Sequence, residues 1–171
     1  MLLKNLPKLI AILQLDNQTT VSNLKHKILF VCIHNSARSQ MAEAFLNKIG
    51  GEHFIAESAG LEPGKLNPNV IEVMREAGID IGGNQTKRVF DLFKQGTSYN
   101  AVITVCDAAS AESCPIFPGM VKRIGWSFTD PSSFNGTKEE ILKNTRLVRD
   151  EIATKISEFV QEASGVSYWI K

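Results

Sequence analysis

The sequence predicts a single α/β domain built on a four-stranded parallel sheet with helices on both faces. Three observations carry this expectation. Short apolar runs alternate with longer segments of helical periodicity along most of the chain. The stretch Asn100–Cys106 is a continuous apolar run, the signature of a strand at the centre of a sheet. A chain of 171 residues, 43% hydrophobic and 22% charged, suits one globular domain with a substantial core.

Each element has its own signal. In residues 1–26, Leu2, Leu6, Leu9 and Leu13 form a helix-like stripe, Pro7 suits a helix start, and Asn17–Ser22 reads as a linker. This extension either packs on the domain or meets a partner, and packing is the simpler reading. The domain itself is expected over residues 27–163, with a tail at 164–171. Lys27–Ile33 reads as the first strand. After a short loop, a helix runs to about Ile49 with Met41, Ala44 and Phe45 on one face, and Gly50-Gly51 ends it. His53–Ser58 is the second strand. Asn67–Ala77 is a helix with Pro68 in its first turn and Val70, Val73, Met74 and Ala77 on one side. Lys87–Lys94 is a short helix carrying Val89, Phe90 and Phe93. Asn100–Cys106 and Val121–Trp126 are the third and fourth strands, joined by a long loop at Asp107–Pro118. Thr137 can cap a last helix, Glu139–Val160, which lines up Leu142, Thr145, Val148, Ile152, Ile156 and Phe159.

Composition narrows the function. A net charge of +1 gives no bulk reason to bind nucleic acid or an anionic membrane. No apolar run approaches the roughly 20 residues that span a bilayer. Leu9–Leu15 follows Pro7-Lys8 and leads into Asp16, Asn17 and Gln18 without a small-residue cleavage site, so no signal peptide is expected. Three cysteines, an odd number, fit free reactive thiols in a reducing cytoplasm better than a secreted disulfide framework.

The chemistry centres on Cys32-Ile33-His34-Asn35-Ser36-Ala37-Arg38-Ser39, between the first strand and its helix. Backbone N–H groups in such a loop form a nest for an anion, and the helix start adds its positive dipole end. Arg38 offers a planar fork for two oxygens of a tetrahedral oxyanion. The same field favours the thiolate of Cys32, the nucleophilic form. The spacing alone would also suit a buried strand-end thiol and a surface arginine; the strand–loop–helix setting favours the oxyanion site. His34 matches no metal-ligand spacing and reads as a lining residue.

Cys-x5-Arg-Ser after the first strand resembles the low-molecular-weight tyrosine phosphatase family. The string Asn35–Ala44, with Glu57-Ser58-Ala59-Gly60 downstream, resembles its thioredoxin-coupled arsenate reductase branch. The resemblance covers Lys27 to Ala163. It implies a flavodoxin-like strand order, which makes the first and third strands neighbours. Neighbouring strand ends lie about 4.8 Å apart, so Cys106 can then reach Cys32. Cys114, eight residues beyond Cys106, can bend back across small and polar residues.

The resemblance further implies arsenate reduction: Cys32 as nucleophile, a relay through Cys106 and Cys114, and Asp130 as general acid, with Asp107 a weaker candidate. Ser39 is expected to donate to Cys32, and Asn35 and Ser58 to brace the loop. The substrate would be arsenate, with phosphate and sulfate as analogues. No bound cofactor is expected; an external thiol, thioredoxin or a low-molecular-weight thiol, supplies electrons to a monomer.

The loop position that carries another cysteine in some relatives is Ala37. Some relatives also bind potassium through residues matching Asn35, Glu43, Ser58 and an aspartate near position 88. Here that region holds Lys87 and Arg88, so a basic side chain is expected to pair with Glu43 in place of the cation. The competing reading is a phosphatase using Cys32, Arg38 and Asp130 alone. It leaves Cys106 and Cys114 unexplained, and Ser132-Ser133 follow Asp130-Pro131 where such phosphatases usually carry aromatic residues.

Overall fold

The computed structural model describes residues 24–107, 117, 119 and 121–170. The helix expected in the N-terminal extension falls on residues 1–23, outside the described residues, and so does Cys114. The elements run β1 (His26–Cys32), α1 (Arg38–Ile49), β2 (Phe54–Gly60), α2 (Pro68–Glu76), α3 (Val89–Lys94), β3 (Ala101–Thr104), β4 (Lys122–Gly125) and α4 (Lys138–Ala163). Short 3₁₀ turns lie at Pro131–Ser133 and Val166–Tyr168. The four strands pair in parallel in the order β2-β1-β3-β4. The order reverses between β1 and β3, and crevices for ligands open at the carboxyl ends of strands at such a point.

β1 is apolar throughout its buried part because both of its faces are covered. Ile28, Phe30 and Cys32 enter the larger core with Met41, Phe45, Ile152 and Ile156. Leu29 and Val31 enter the smaller core on the opposite face with Val89, Leu92, Tyr99 and Val102. Two helices begin at capping residues. Asn67 accepts the Asn69 N–H at 2.9 Å ahead of Pro68. Thr137 and Glu140 form a reciprocal capping box on α4. Gly78, at φ +71°, closes α2 with its N–H on the Arg75 carbonyl, a conformation that glycine adopts without strain.

The ends of several elements differ from the pattern-based expectation, and backbone hydrogen bonds explain the clearest case. α3 starts at Val89 instead of Lys87 because the Lys87 backbone is engaged elsewhere. Its N–H donates to Asn35 Oδ1 at 2.8 Å, and its carbonyl accepts the Gly60 N–H at 2.8 Å. That second bond also accompanies the extension of β2 to Gly60, opposite Cys32. On α3, Val89 and Leu92 are buried, while Phe90 and Phe93 face outward. The final residues fold back on the base of the sheet. The Trp169 ring stacks on His26 at 4.2 Å, and Lys122 Nζ lies 3.5 Å from the Tyr168 ring centre. Among the described residues, no helix is long and apolar enough to cross a membrane.

Gly60 packs directly under the loop that follows β1. A Cβ there would sit 2.7 Å from the Ile33 carbonyl oxygen and 2.8 Å from the Asn35 nitrogen, both backbone atoms. Gly60→Ala is therefore expected to cost about 1–3 kcal/mol in thermal unfolding and to alter the rate at which iodoacetamide alkylates Cys32. Wild-type melting and wild-type alkylation together would mean that strand and loop can part freely.

Candidate active site

The segment after β1 turns its carbonyl groups outward. The Cys32, Ile33 and His34 carbonyls accept the N–H groups of Leu61, Glu62 and Gly64 at 3.3, 2.9 and 2.9 Å. The Ser36 carbonyl accepts the Asn67 N–H at 2.9 Å. Four carbonyl groups of the loop are thereby bonded to the segment that follows β2. α1 begins at Arg38 with no side-chain cap, so its positive end also opens on the loop. His34 is exposed at the rim, where Nδ1 lies 3.2 Å from the Glu62 carbonyl.

Cys32 ends β1 as a buried free thiol. Its Sγ lies 3.0 Å from Ser39 Oγ and receives the Asn35 N–H at 3.2 Å. The direction of the chain of bonds behind it follows from chemistry. Ser58 Oγ donates to the Glu43 carboxylate, so it must accept from Asn35 Nδ2, at 2.8 Å. The other Nδ2 proton goes to Ser39 Oγ at 2.9 Å, and the Ser39 proton stays available to Cys32 Sγ. Two polar hydrogens thus converge on the Cys32 sulfur. Asn35 makes this possible from a left-handed backbone, φ +52°.

Arg38 is 3% exposed and bonds on three sides. Nη2 donates to Asp130 Oδ2 at 2.7 Å. Nη1 donates to Asp107 Oδ2 and to the Phe128 carbonyl, each at 3.1 Å. Asp130 also caps the turn that follows it, through Oδ1 and the Ser132 N–H at 2.9 Å. Both aspartates considered as acids therefore meet Arg38, and Asp130 does so through the shorter bond. Cys106, 6% exposed, lies beyond β3, where the Val105 N–H donates to the Val31 carbonyl at 2.9 Å and carries the β1–β3 pairing toward the site. It is disulfide-bonded.

The basic side chain that reaches Glu43 is Lys87, with Nζ 3.9 Å from Oε1. Arg88 instead contributes backbone, as the residue before α3 and the bridge partner of Gly60. Asn35, Glu43 and Ser58 do come together, but the Lys87 ammonium stands beside the carboxylate that a potassium ion would need. A potassium site therefore does not fit these residues. Gln40 falls within the Asn35–Ala44 string, but sequence patterns assigned it no role. It is 1% exposed in the first turn of α1, where Arg38, Ser39, Gln40, Met41 and Ala42 are all buried and no helical stripe stands out.

The model of the low molecular weight phosphotyrosine protein phosphatase family matches residues 27–164. The chain belongs to this family. Within it, the chain groups with proteins named arsenate reductase. The arsenate reductase of Bacillus licheniformis is 43% identical over 139 residues, covering 80% of this chain and 96% of its own. The crystal structure of arsenate reductase from Archaeoglobus fulgidus aligns with a TM-score of 0.62 at 29% identity, covering 79% of this chain and 99% of that one. A thioredoxin-dependent arsenate reductase of Corynebacterium glutamicum aligns with a TM-score of 0.53 at 25% identity, covering 91% of this chain and 77% of that one.

Glu43 ties this family site to stability. Burial pushes its carboxyl above the usual glutamate range, opposed by the Ser58 hydrogen bond and by Lys87. A folded value above the unfolded one means that the native state holds the proton more tightly. The stability this contributes is present below the unfolded value of about 4.5 and is lost as pH rises through the folded value. Thermal melts across about pH 4–8 should show that fall in the wild type and a flatter curve in Glu43→Gln. Parallel curves would assign the pH dependence to other groups.

Proposed function

We propose that this protein reduces arsenate to arsenite, with Cys32 as nucleophile and Cys106 and Cys114 as a disulfide relay. The observation that carries the reading is the pair of donors on Cys32 Sγ beside the Arg38 fork, in a chain that groups with arsenate reductases. Arsenate binds in the loop with its oxygens on backbone N–H groups and Arg38. The Cys32 thiolate attacks arsenic, and an oxygen leaves as water once Asp130 supplies a proton. The Cys106 thiolate then attacks Cys32 sulfur. The S–As bonding pair passes to arsenic, As(V) becomes As(III), arsenite departs, and a Cys32–Cys106 disulfide remains. Attack by the Cys114 thiolate on Cys106 sulfur frees Cys32 and leaves a Cys106–Cys114 disulfide.

An external dithiol reduces that last disulfide and so supplies the two electrons that arsenic received. Thioredoxin is the proposed reductant, supported by the thioredoxin-dependent neighbour. The protein works as a monomer in the cytoplasm, where such thiols are kept reduced.

The test is arsenate-dependent NADPH oxidation with thioredoxin and thioredoxin reductase, run beside p-nitrophenyl phosphate hydrolysis. The expected result is turnover that is lost in Cys32→Ser, Cys106→Ser and Cys114→Ser, and equal in potassium and sodium salts. Asp130→Asn should slow the first chemical step by about 10²–10⁴-fold. Full turnover by Cys106→Ser would remove the relay. Ester hydrolysis with no arsenate turnover, under either a thioredoxin or a glutathione system, would make the protein a phosphatase.

A further inference from the structure

Gln40 spends its whole side-chain amide outside its own helix. Nε2 donates to Asn35 Oδ1 at 3.3 Å and to the Gln85 carbonyl at 3.2 Å. Oε1 accepts from Asn84 Nδ2 at 2.9 Å. A site that needed only filling would take Met or Leu at no polar cost, since burying an amide is unfavourable unless every bond is made. Here both donor protons and the acceptor oxygen are engaged, and each bond runs to the loop or to the segment at Asn84–Lys87.

That segment returns to the loop twice more. The Lys87 N–H donates to Asn35 Oδ1 at 2.8 Å, and Lys87 Nζ pairs with Glu43. Asn35 Oδ1 therefore carries two donors, from Gln40 and Lys87, while its Nδ2 serves Ser39 and Ser58. All four bonds agree on one orientation of the Asn35 amide. They also hold a non-glycine residue at φ +52°, a conformation that survives only when its surroundings over-determine it. The Asn35 N–H on Cys32 Sγ depends on that conformation.

We infer that Gln40 is a positioning residue for the nucleophile: it clamps the Asn84–Lys87 segment and Asn35 together, and so keeps the Asn35 and Ser39 donors on Cys32 Sγ. The inference rests on Cys32 being the nucleophile, and it concerns a side chain that never touches the oxyanion.

The experiment follows iodoacetamide alkylation of Cys32 in the full-length reduced protein, resolved by peptide mass spectrometry, over a range of pH. Gln40→Met keeps the volume and removes the bonds. It should slow Cys32 alkylation at mildly acidic pH by about fivefold, the size expected for one lost hydrogen bond, and move the rate-against-pH curve to higher pH. Cys106 and Cys114 serve as internal controls and should not change. Gln40→Glu still accepts from Asn84, but it can donate to Asn35 only while protonated. Its rate relative to wild type should fall as pH rises through the carboxyl titration, the opposite trend from Gln40→Met. A Gln40→Met protein that melts earlier yet alkylates on the wild-type curve overturns the inference, because packing alone gives that result. A Gln40→Glu curve parallel to wild type overturns it as well. If wild-type Cys32 reacts no faster than the other two thiols, the nucleophile reading itself fails, and the inference falls with it.

Discussion

The loop after Cys32 keeps its shape only while its carbonyl groups are bonded outside it. They go to the segment between Leu61 and Asn67, which runs from the end of β2 to the cap of α2. That arrangement explains features that would otherwise look unrelated. Gly60 must lack a side chain because the loop rests on it. Asn67 serves two elements at once, with its side chain capping α2 and its N–H closing the loop at Ser36. β2 lies on the outer side of β1 and brings Ser58 beneath Asn35. The sheet order is thus part of how the site is built.

Charge is arranged with the same economy. Arg38 is buried, and an isolated guanidinium there would be costly. Two carboxylates and a carbonyl surround it. Those three partners hold the guanidinium in one orientation. On the other side of the loop, Glu43 fixes the direction of a chain of hydroxyl and amide bonds that ends on sulfur.

Much of this was legible in the sequence, for identifiable reasons. β1 and β3 were readable because a strand covered on both faces is apolar without a break. α4 was readable because Thr137 and a long stripe agree. The Cys32–Ser39 loop was readable because its geometry is local: one strand end, one turn and one helix start fix it, and the family motif adds Ser58. What escaped was tertiary. The start of α3 depends on Asn35 drawing off the Lys87 N–H. Asp107 meets Arg38 across 69 positions of sequence. Gln40 hides in a helical turn that is buried all round, where polarity and periodicity carry no information. That Lys87, and not Arg88, faces Glu43 follows from the same backbone capture, which no spacing rule contains.

The two tryptophans mark opposite ends of the sheet. Trp126 packs on Phe30 and on Phe128, the residue whose carbonyl holds Arg38. Trp169 stacks on His26 at the start of β1, a strand length of about 20 Å from Cys32. One line of rings joins them: Phe159 meets Trp126 at 5.7 Å and Phe54 at 5.4 Å, and Phe54 meets Trp169 at 6.5 Å. The intrinsic emission of this protein therefore reads the two ends of the sheet together, through a shared aromatic core.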